Sequence, residues 1–338
     1  MNTSLKSVWL KQAVLILAPV IAIGLTLFVG RYSISVTEVL RAVFPNSGLF
    51  EETSREVNTV LWQLRLPRAV AGAFVGAALA VSGAAFQGVF RNPLVNSGIL
   101  GVSNGAGFGA SLAIIYFGGG YYSYIFAFTF GIMAVMLSYF SGRIYGSTPT
   151  VTLVLGGVVV SGFFGALTSI LKYLADPYTQ LPAITYWFMG SLASVNYNHF
   201  IAFVPMTIGM VMIFLSRWKI NALSMGEKEA LALGVDTRLY KLMIIGGATL
   251  ATASGVCISG VIGWIGLVIP HIGRMIVGND NTRLIPVSMS LGACYLVLMD
   301  MLARNISASE IPIGILTSLI GTPFFVYLLK KTKGGGWR

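Results

Sequence analysis

Long apolar runs constrain this chain more than any other feature, because about 20 consecutive apolar residues can cross a lipid bilayer as one helix. A soluble domain has about 25% charged residues, whereas this chain has 10% charged and 56% hydrophobic residues. The sequence therefore predicts an all-α membrane protein. We count ten candidate transmembrane helices, at about 12–31, 65–86, 93–117, 122–142, 150–171, 199–216, 241–259, 261–278, 284–303 and 311–329.

The segment 263–280 indicates more than a simple membrane anchor. Its apolar run is interrupted by Pro270, His271 and Arg274. A proline removes a helical hydrogen bond, and a charge in hydrocarbon costs several kcal/mol unless a partner compensates it. We therefore expect a helix packed inside a polytopic bundle, with Arg274 at its cytoplasmic end. His271 and His199 have no metal-ligand neighbour at a useful spacing, so we predict no metal site.

The distribution of Lys and Arg predicts the orientation. If both termini are cytoplasmic, the inner loops and helix ends hold most of the 22 cations and few of the 11 acids. Cations and acids balance on the outer side, so the whole net charge of +11 falls on the inner side. The positive-inside rule then makes that side the cytoplasm. Scattered over short loops, these charges do not indicate nucleic-acid binding.

Three connections are longer than the others. Residues 32–64 and 172–198 are predicted to be extracytoplasmic loops, and the second contains an aromatic stretch, 181–193, too short to span. We expect this stretch to form a half-helix at the membrane interface, where aromatic residues are enriched. The third, 217–241, is predicted to be a cytoplasmic loop.

The cytoplasmic loop 217–241 contains signals for two short helices. Gly226 and Gly234 bracket the first, which has two glutamates in its first turn, and Asp236 can cap a second that carries Arg238. Such helices could form a docking surface for a soluble partner. The alternative is a solvated loop that only links two spans.

Arginines mark the outer ends of two predicted spans. Arg65 and Arg68 are three residues apart and share a helix face, with Pro67 suited to a first turn. They could snorkel toward lipid phosphates or bind carboxylates of an extracytoplasmic partner. Asp300 and Arg304 are four residues apart, which predicts a local ion pair.

Two further patterns concern helix packing. The glycines between 98 and 109 predict close helix crossing or a shifting helix. Ser82-Gly83 precedes Pro93 by the same spacing as Ser259-Gly260 precedes Pro270, five predicted spans later. An odd offset of this kind is typical of inverted repeats in transporters.

Several functional classes lack their sequence signals. The chain has no G-x-x-x-x-G-K-[ST] motif, so we predict that it carries no ATP site of its own. It also has no carboxylate pair suited to a metal-dependent membrane transferase. A secondary transporter is a remote alternative, since no predicted coupling carboxylate lies at the midplane.

Several motifs resemble the FecCD-type permeases of bacterial ABC importers, which transport iron-siderophores, haem or vitamin B12. The resemblance extends from about residue 60 to 330. The matching motifs are L-W-Q-L-R-L-P-R (61–68), G-A-A-L-A-V-S-G-A-A-F-Q (76–87), R-N-P-L (91–94), G-I-L-G-V-S-N-G-A-G (98–107), A-L-A-L-G (230–234), G-L-V-I-P-H-I-G-R (266–274), E-I-P-I-G-I-L-T (310–317) and G-T-P-F-F (321–325).

The resemblance implies a type II ABC importer permease fold with inverted-repeat character, in which residues 1–338 form one transmembrane domain of a homodimer. It implies two partner ATPases, which hold ATP and Mg, and an extracytoplasmic binding protein. The implied location is the bacterial inner membrane, and no cofactor is implied for this chain. The implied cargo is a ferric siderophore or haem; alternatives are cobalamin and an oxyanion such as molybdate.

The resemblance also implies site residues. By this resemblance, the residues that contact the binding protein are Arg65, Arg68 and Arg304. The fifth span is expected to line the pathway, although Pro149 departs from the family pattern. The cytoplasmic gate maps to Asn92, Leu94, Ser147, Thr148 and Thr150. Coupling to the ATPase maps to Gly226, Glu227, Glu229, Ala230, Gly234, Asp236 and Arg238.

Overall fold

The computed structural model describes residues 2–44, 54–143, 149–307 and 309–331, which contain helices and no β-strand. This confirms the prediction of an all-helical protein. The α-helices are α1 Asn2–Phe28, α2 Val36–Val43, α3 Arg55–Asn58, α4 Leu66–Val89, α5 Val102–Phe117, α6 Tyr121–Ser141, α7 Thr150–Leu174, α8 Gln180–Met189, α9 Phe203–Met225, α10 Glu227–Ala232, α11 Thr237–Ser259, α12 Ile265–Val277, α13 Asn281–Ile306 and α14 Ile313–Lys331.

Ten apolar helical segments lie where the ten runs were predicted, but they differ in length. Among the described residues, six are long and apolar enough to cross a membrane: Arg55–Val89, Tyr121–Ser141, Thr150–Leu174, Tyr197–Met225, Thr237–Ser259 and Asn281–Ile306. Four are shorter: Ala13–Phe28, Val102–Phe117, Ile265–Val277 and Ile313–Tyr327. The protein is therefore an integral membrane protein, and the number of ten crossings stays a prediction.

Helix α4 forms the centre of the bundle. It packs against α1, α9, α11, α12 and α13, and nearly all its residues from Pro67 to Val89 are buried. Small residues make this possible. A Cβ on Gly76 would lie 2.1 Å from the carbonyl oxygen of Gly292 in α13, and a Cβ on Gly83 would lie 1.9 Å from that of Gly266 in α12. The helices therefore meet backbone to backbone.

Residues 32–64 were predicted to be a loop, and this is wrong for the described part. Ser35 and Glu38 form a capping box at the start of α2. After residues 45–53, Ser54 accepts a hydrogen bond from the backbone N–H of Val57 and begins α3. A π-helical turn, Thr59–Arg65, then joins α3 to α4. The second span therefore begins ten residues earlier than predicted, because these polar end residues continue the same helix.

The glycine-rich segment confirms one sequence expectation. A Cβ on Gly105 would lie 2.4 Å from the carbonyl oxygen of Phe130, and one on Gly109 would lie 2.3 Å from that of Phe126. Helices α5 and α6 therefore cross closely. Helix α5 begins nine residues later than the predicted run, since 90–101 form turns that end at Gly101, whose φ is +87°.

The spacing match between 82–93 and 259–270 does not mark equivalent positions. Ser82 lies within α4, whereas Ser259 is the last residue of α11. Pro93 lies in a turn, whereas Pro270 lies inside α12. This pattern is therefore wrong as evidence for a repeat, because equal spacing joins different structural contexts. The inverted-repeat architecture itself stays a prediction.

Helix α12 confirms the expectation of a packed, polar-interrupted helix. Pro270 and His271 are buried, and α12 contacts α4, α13 and α14. It has 13 residues, which corresponds to about 20 Å and is shorter than a hydrocarbon core of about 30 Å. The predicted half-helix 181–193 corresponds to α8, which ends at Gly190 with φ +71°. Its position at the membrane interface stays a prediction.

Candidate functional site

At one end of the bundle, a buried ion-pair network joins α4 to α13 and the segment before α14. Arg68 Nε donates to the two carboxylate oxygens of Asp300 at 2.8 and 3.0 Å, and Arg68 Nη1 donates to Glu310 Oε2 at 2.9 Å. The antiparallel packing of α4 and α13 brings these residues together, although 232 positions separate Arg68 from Asp300. Glu310 was missed as a site residue; only its acidic character on the predicted outer side marked it.

Arg304 completes this network. Its Nε lies 3.2 Å from Asp300 Oδ2, which confirms the predicted local ion pair. Its Nη2 is buried and has no hydrogen-bond partner in the described part of the chain. Arg31, which the sequence did not single out, donates to the backbone carbonyl of Arg304 at 2.9 Å. One acidic pair therefore serves two buried guanidinium groups.

Arg65 is fixed differently, by backbone carbonyls. Its Nη1 and Nη2 donate to the carbonyl oxygens of Leu27 and Tyr32, each at 2.5 Å. The guanidinium lies over Gly30, where a Cβ would come within 2.6 Å of Nη2. Glycine at this position therefore makes room for the arginine, and α1 is tied to the start of α4.

The structure brings the three predicted docking arginines around one cleft of about 240 Å³, which Glu310 also lines. Arg65, Arg68 and Arg304 are only 4%, 7% and 7% exposed. The snorkelling alternative is wrong for Arg65 and Arg68, because their guanidinium groups bond to protein acceptors. Their role toward a binding protein stays a prediction.

The other end of α4, about 36 Å away by helix rise, meets the predicted coupling segment. The first short helix predicted there is confirmed as α10. Gly226 precedes it with φ +142°, and Gly234 follows it with φ +73°. Ala230 is fully buried. The Glu229 carboxylate lies over Gly226, where a Cβ would come within 2.0 Å of its Oε2.

The second short helix predicted in this segment is wrong. Asp236 accepts a hydrogen bond from the Leu239 backbone N–H at 2.9 Å, but it caps the long helix α11. Arg238 is therefore in the first turn of a membrane helix. Helix α9 continues past Arg217 to Met225, so the connection shortens to 226–236. Polar residues at the ends of long helices gave the sequence the appearance of a longer loop.

An ion pair ties α10 to α11. Lys241 Nζ donates to the Glu227 carboxylate, and the lysine side chain is buried while the glutamate is half-exposed. Glu229 and Arg238 are exposed. Glu227 therefore anchors the segment, whereas Glu229 and Arg238 face outward.

The predicted gate turn lies beside α10. Asn92 Oδ1 accepts a hydrogen bond from the Leu94 backbone N–H at 2.9 Å, which closes a tight turn. Arg91 adopts φ +49°, and its Nη1 lies 3.6 Å from the position of a Cβ on Gly226. Leu94 is 47% exposed. The turn and the coupling helix are thus in direct proximity, which the sequence did not reveal.

A buried amide, Gln87, connects the gate turn to another helix. Gln87 Nε2 donates to the carbonyl oxygens of Val95 at 3.1 Å and Gly266 at 3.3 Å. It therefore joins the turn to the start of α12.

Asn221 forms a second connection, from α9 to the start of α13. Its Oδ1 accepts from the Asn281 backbone N–H at 2.8 Å, and its Nδ2 donates to Asp280 Oδ1 at 2.7 Å. Hydrogen bonds from Asn221 and Thr282 hold the pKa of the Asp280 carboxyl below its usual range. Sequence reasoning missed Asn221 because its partners lie about 60 positions away.

Of the three remaining predicted gate residues, the structure describes one. Ser147 and Thr148 lie outside the described residues. Thr150 is the first residue of α7, and Thr152 Oγ1 donates to the Gly142 carbonyl at 2.6 Å. One face of α7 is exposed and apolar, with Val151 and Val159 at 69% and 68%.

Comparison with known proteins agrees with this architecture. Residues 16–331 match the model of the FecCD transport family. The molybdate import system permease of Haemophilus influenzae is 40% identical over 95% of this chain and 94% of its own length. A probable iron chelatin permease of Helicobacter pylori is 37% identical over 96% and 99%.

A haem relative and a solved structure extend the comparison. The hemin transport system permease of Yersinia pestis is 35% identical over 82% of this chain and 86% of its own length. An inward-facing transporter structure, assigned to the metal-chelate ABC type, superposes with a TM-score of 0.82 at 41% identity, covering 94% of this chain and 97% of the other.

Proposed function

This chain belongs to the FecCD transport family, and we propose that two copies of it form the transmembrane pathway of a bacterial ABC importer. The observation that carries the proposal is that the two ends of the central helix α4 meet two different predicted contact sites. A buried arginine cluster with Arg65 and Arg68 lies at one end, and the coupling helix lies beside the turn at Asn92 at the other. A transporter needs such a connection between an outer and an inner contact.

The proposed topology has ten crossings with both termini in the cytoplasm. The six long and four shorter apolar helices support this number, and the one-sided net charge of +11 supports the orientation. The short helices α5 and α12 cross as parts of the bundle, where neighbouring helices satisfy the backbone at their ends. The coupling helix α10 then faces the cytoplasm, and the arginine cluster faces outward.

The proposed mechanism is alternating access without covalent chemistry. ATP closes two separate ATPases, which move α10 and, through the Glu227–Lys241 pair, the start of α11. Because Arg91 lies against the α10 start, the same motion reaches the gate turn. The pathway opens outward, receives cargo from the binding protein and resets after hydrolysis. ATP and Mg belong to the partner subunits in this scheme.

Replacing Glu227, Glu229 and Arg238 together with glutamine or alanine tests the coupling role. We expect ATPase activity without transport in proteoliposomes that contain the full complex. The single variant E227Q separates anchoring from contact, because Glu227 forms the ion pair with Lys241 that ties α10 to α11. Arg283→Gln is the matched control, since Arg283 is exposed and lies outside the segment. Unchanged transport in the triple variant would contradict the assignment.

Charge reversal at Arg65 tests the outer contact. R65E is expected to weaken the complex with the binding protein, and more strongly at low salt, because charges on the two approaching surfaces are then less screened. Arg55→Glu is the control, because Arg55 is an exposed cation on α3 outside the cleft. Equal dissociation constants for R65E and the parent protein, with unchanged melting temperatures, would exclude Arg65 from this role.

We propose a chelated metal, a ferric siderophore or haem, as cargo. The metal-chelate structure at 41% identity and the iron chelatin permease support this choice. Molybdate is the second candidate, supported by the 40% identical relative in Haemophilus influenzae. Uptake of radiolabelled iron chelate and of labelled molybdate by the same reconstituted importer decides between them, with cobalamin as a third labelled cargo.

A further inference from the structure

An apolar groove of about 320 Å³ opens on the surface of the bundle between α6, α9 and α11. Met136 and Leu242, on two of its walls, are 53% and 52% exposed. All three helices are long and apolar enough to cross the membrane, so the groove lies at hydrocarbon depth. Its lining includes Ile132, Met136 and Tyr139 on α6, Met212 on α9, and Leu242 and Gly246 on α11.

Gly246 keeps the groove open. A Cβ built at this position meets only the Met212 methyl carbon, at 4.0 Å. Any larger side chain on this face of α11 would extend into the groove. An apolar groove at this depth is filled by something equally apolar, because exposing it to water would forfeit the hydrophobic stabilisation of its walls.

At one end of the groove, two of its walls are each followed along the chain by a cationic residue. Arg143 comes four residues after Tyr139 on the α6 side, and Lys219 comes seven residues after Met212 on α9. Arg143 follows the last residue of α6, Ser141, by two positions, so its backbone lies at this end of the groove. Lys219 lies within α9, and a spacing of seven keeps it on the groove-lining face, two turns beyond Met212.

The third wall repeats the pattern. Arg238 lies four residues before Leu242 on α11, which runs in the opposite direction to α9. Lys219 Nζ lies 5.1 Å from the Tyr240 ring, so the cationic ends of α9 and α11 meet. Within the described part of the chain, no ion pair to a carboxylate joins Arg143, Lys219 or Arg238.

We propose that this groove binds an acyl chain of an anionic phospholipid, whose phosphate and headgroup lie among Arg143, Lys219 and Arg238. The charge pattern favours this occupant over a second protein, because three cations without carboxylate partners end a groove whose walls are apolar. Basic residues at the end of membrane helices bind anionic headgroups in this way. The groove shares no lining residue with the arginine cleft, and of its three cations only Arg238 also belongs to the proposed coupling residues.

Native mass spectrometry of the purified chain, titrated with phosphatidylglycerol or phosphatidylcholine, tests the proposal. The parent protein should retain phosphatidylglycerol preferentially. The double variant R143Q/K219Q should weaken phosphatidylglycerol binding about tenfold and remove the preference, since each such cation contributes to headgroup attraction. Gly246→Leu should displace both lipids, because its side chain fills the groove.

Gly24→Leu is the matched control, since a Cβ on Gly24 of α1 also meets nothing within 4 Å but lies outside the groove. This variant should retain phosphatidylglycerol like the parent. Unchanged lipid retention in Gly246→Leu would overturn the proposal. An unchanged preference in R143Q/K219Q would overturn it as well. A change of oligomeric state in Gly246→Leu with lipid retention intact would instead assign the groove to a protein contact.

Discussion

At the scale of single residues, buried charge is concentrated where α4 and α13 meet. Arg68, Asp300 and Arg304 are each less than 10% exposed. Burying these charges is costly unless hydrogen bonds and opposite charges compensate. The compensation here is asymmetric: Asp300 serves both arginines, so removing this single carboxylate leaves two cations buried with too few acceptors.

Asp300→Asn is therefore expected to lower the free energy of unfolding by about 3–5 kcal/mol, the usual cost of breaking a buried ion pair from one side. Chemical or thermal unfolding in detergent measures the change. Arg283→Gln is the control, because its ion pair with Asp280 is exposed and 3.8 Å long; we expect less than about 1 kcal/mol there. Equal effects of the two variants would contradict this account of the network.

At the scale of elements, glycines decide which helices touch. The α4–α13 contact is reciprocal: a Cβ on Gly76 would lie 2.1 Å from the Gly292 carbonyl oxygen, and a Cβ on Gly292 would lie 2.4 Å from that of Gly76. Backbone carbonyls cannot move like flexible side chains. A side chain at either glycine would therefore force the two helices apart.

Gly76→Ala is accordingly expected to destabilise the protein by about 3 kcal/mol, because the added methyl group overpacks a backbone contact. Gly24→Ala in α1 adds the same methyl group to open space, and alanine favours helix more than glycine does. Melting temperatures and the yield of monodisperse protein compare the two. A Gly76→Ala protein as stable as Gly24→Ala would show that the crossing can relax.

At the scale of the whole molecule, the exposed apolar face of α7 is the surface that the proposed homodimer places around its axis. Val151, Leu155 and Val159 on this face are 69%, 58% and 68% exposed. Both lipid and a second copy could satisfy such a face, and the proposed pathway requires the second copy.

Val159→Cys is expected to form an intermolecular disulfide on mild oxidation in membranes, after Cys257 and Cys294 have been replaced by alanine. Ile16→Cys on α1 is the control, with a matching exposure of 69%, because α1 is not expected at the axis. Non-reducing electrophoresis measures the dimer fraction. Equal cross-linking at both positions would argue against α7 as the dimer-facing helix.

Local patterns determined much of the coupling segment in advance. The sequence predicted α10, bracketed by Gly226 and Gly234, because capping and helix termination depend on neighbouring residues. It failed where a helix continued past a charged residue: α9 extends beyond Arg217, and the turn before Arg65 joins α4. A charged residue therefore indicates a helix end only when no neighbouring helix stabilises that residue within a continuing helix.

By itself, the sequence determined the apolar runs, their membrane class, the local Asp300–Arg304 pair and the family, since these follow from composition, periodicity and motifs. Only the tertiary structure decided that Arg68 shares Asp300, that Arg91 lies against the coupling helix, and that α4 is the central helix. The physical reason is separation along the chain. Contacts between residues hundreds of positions apart depend on how helices cross, and that crossing is fixed by the whole set of packed surfaces.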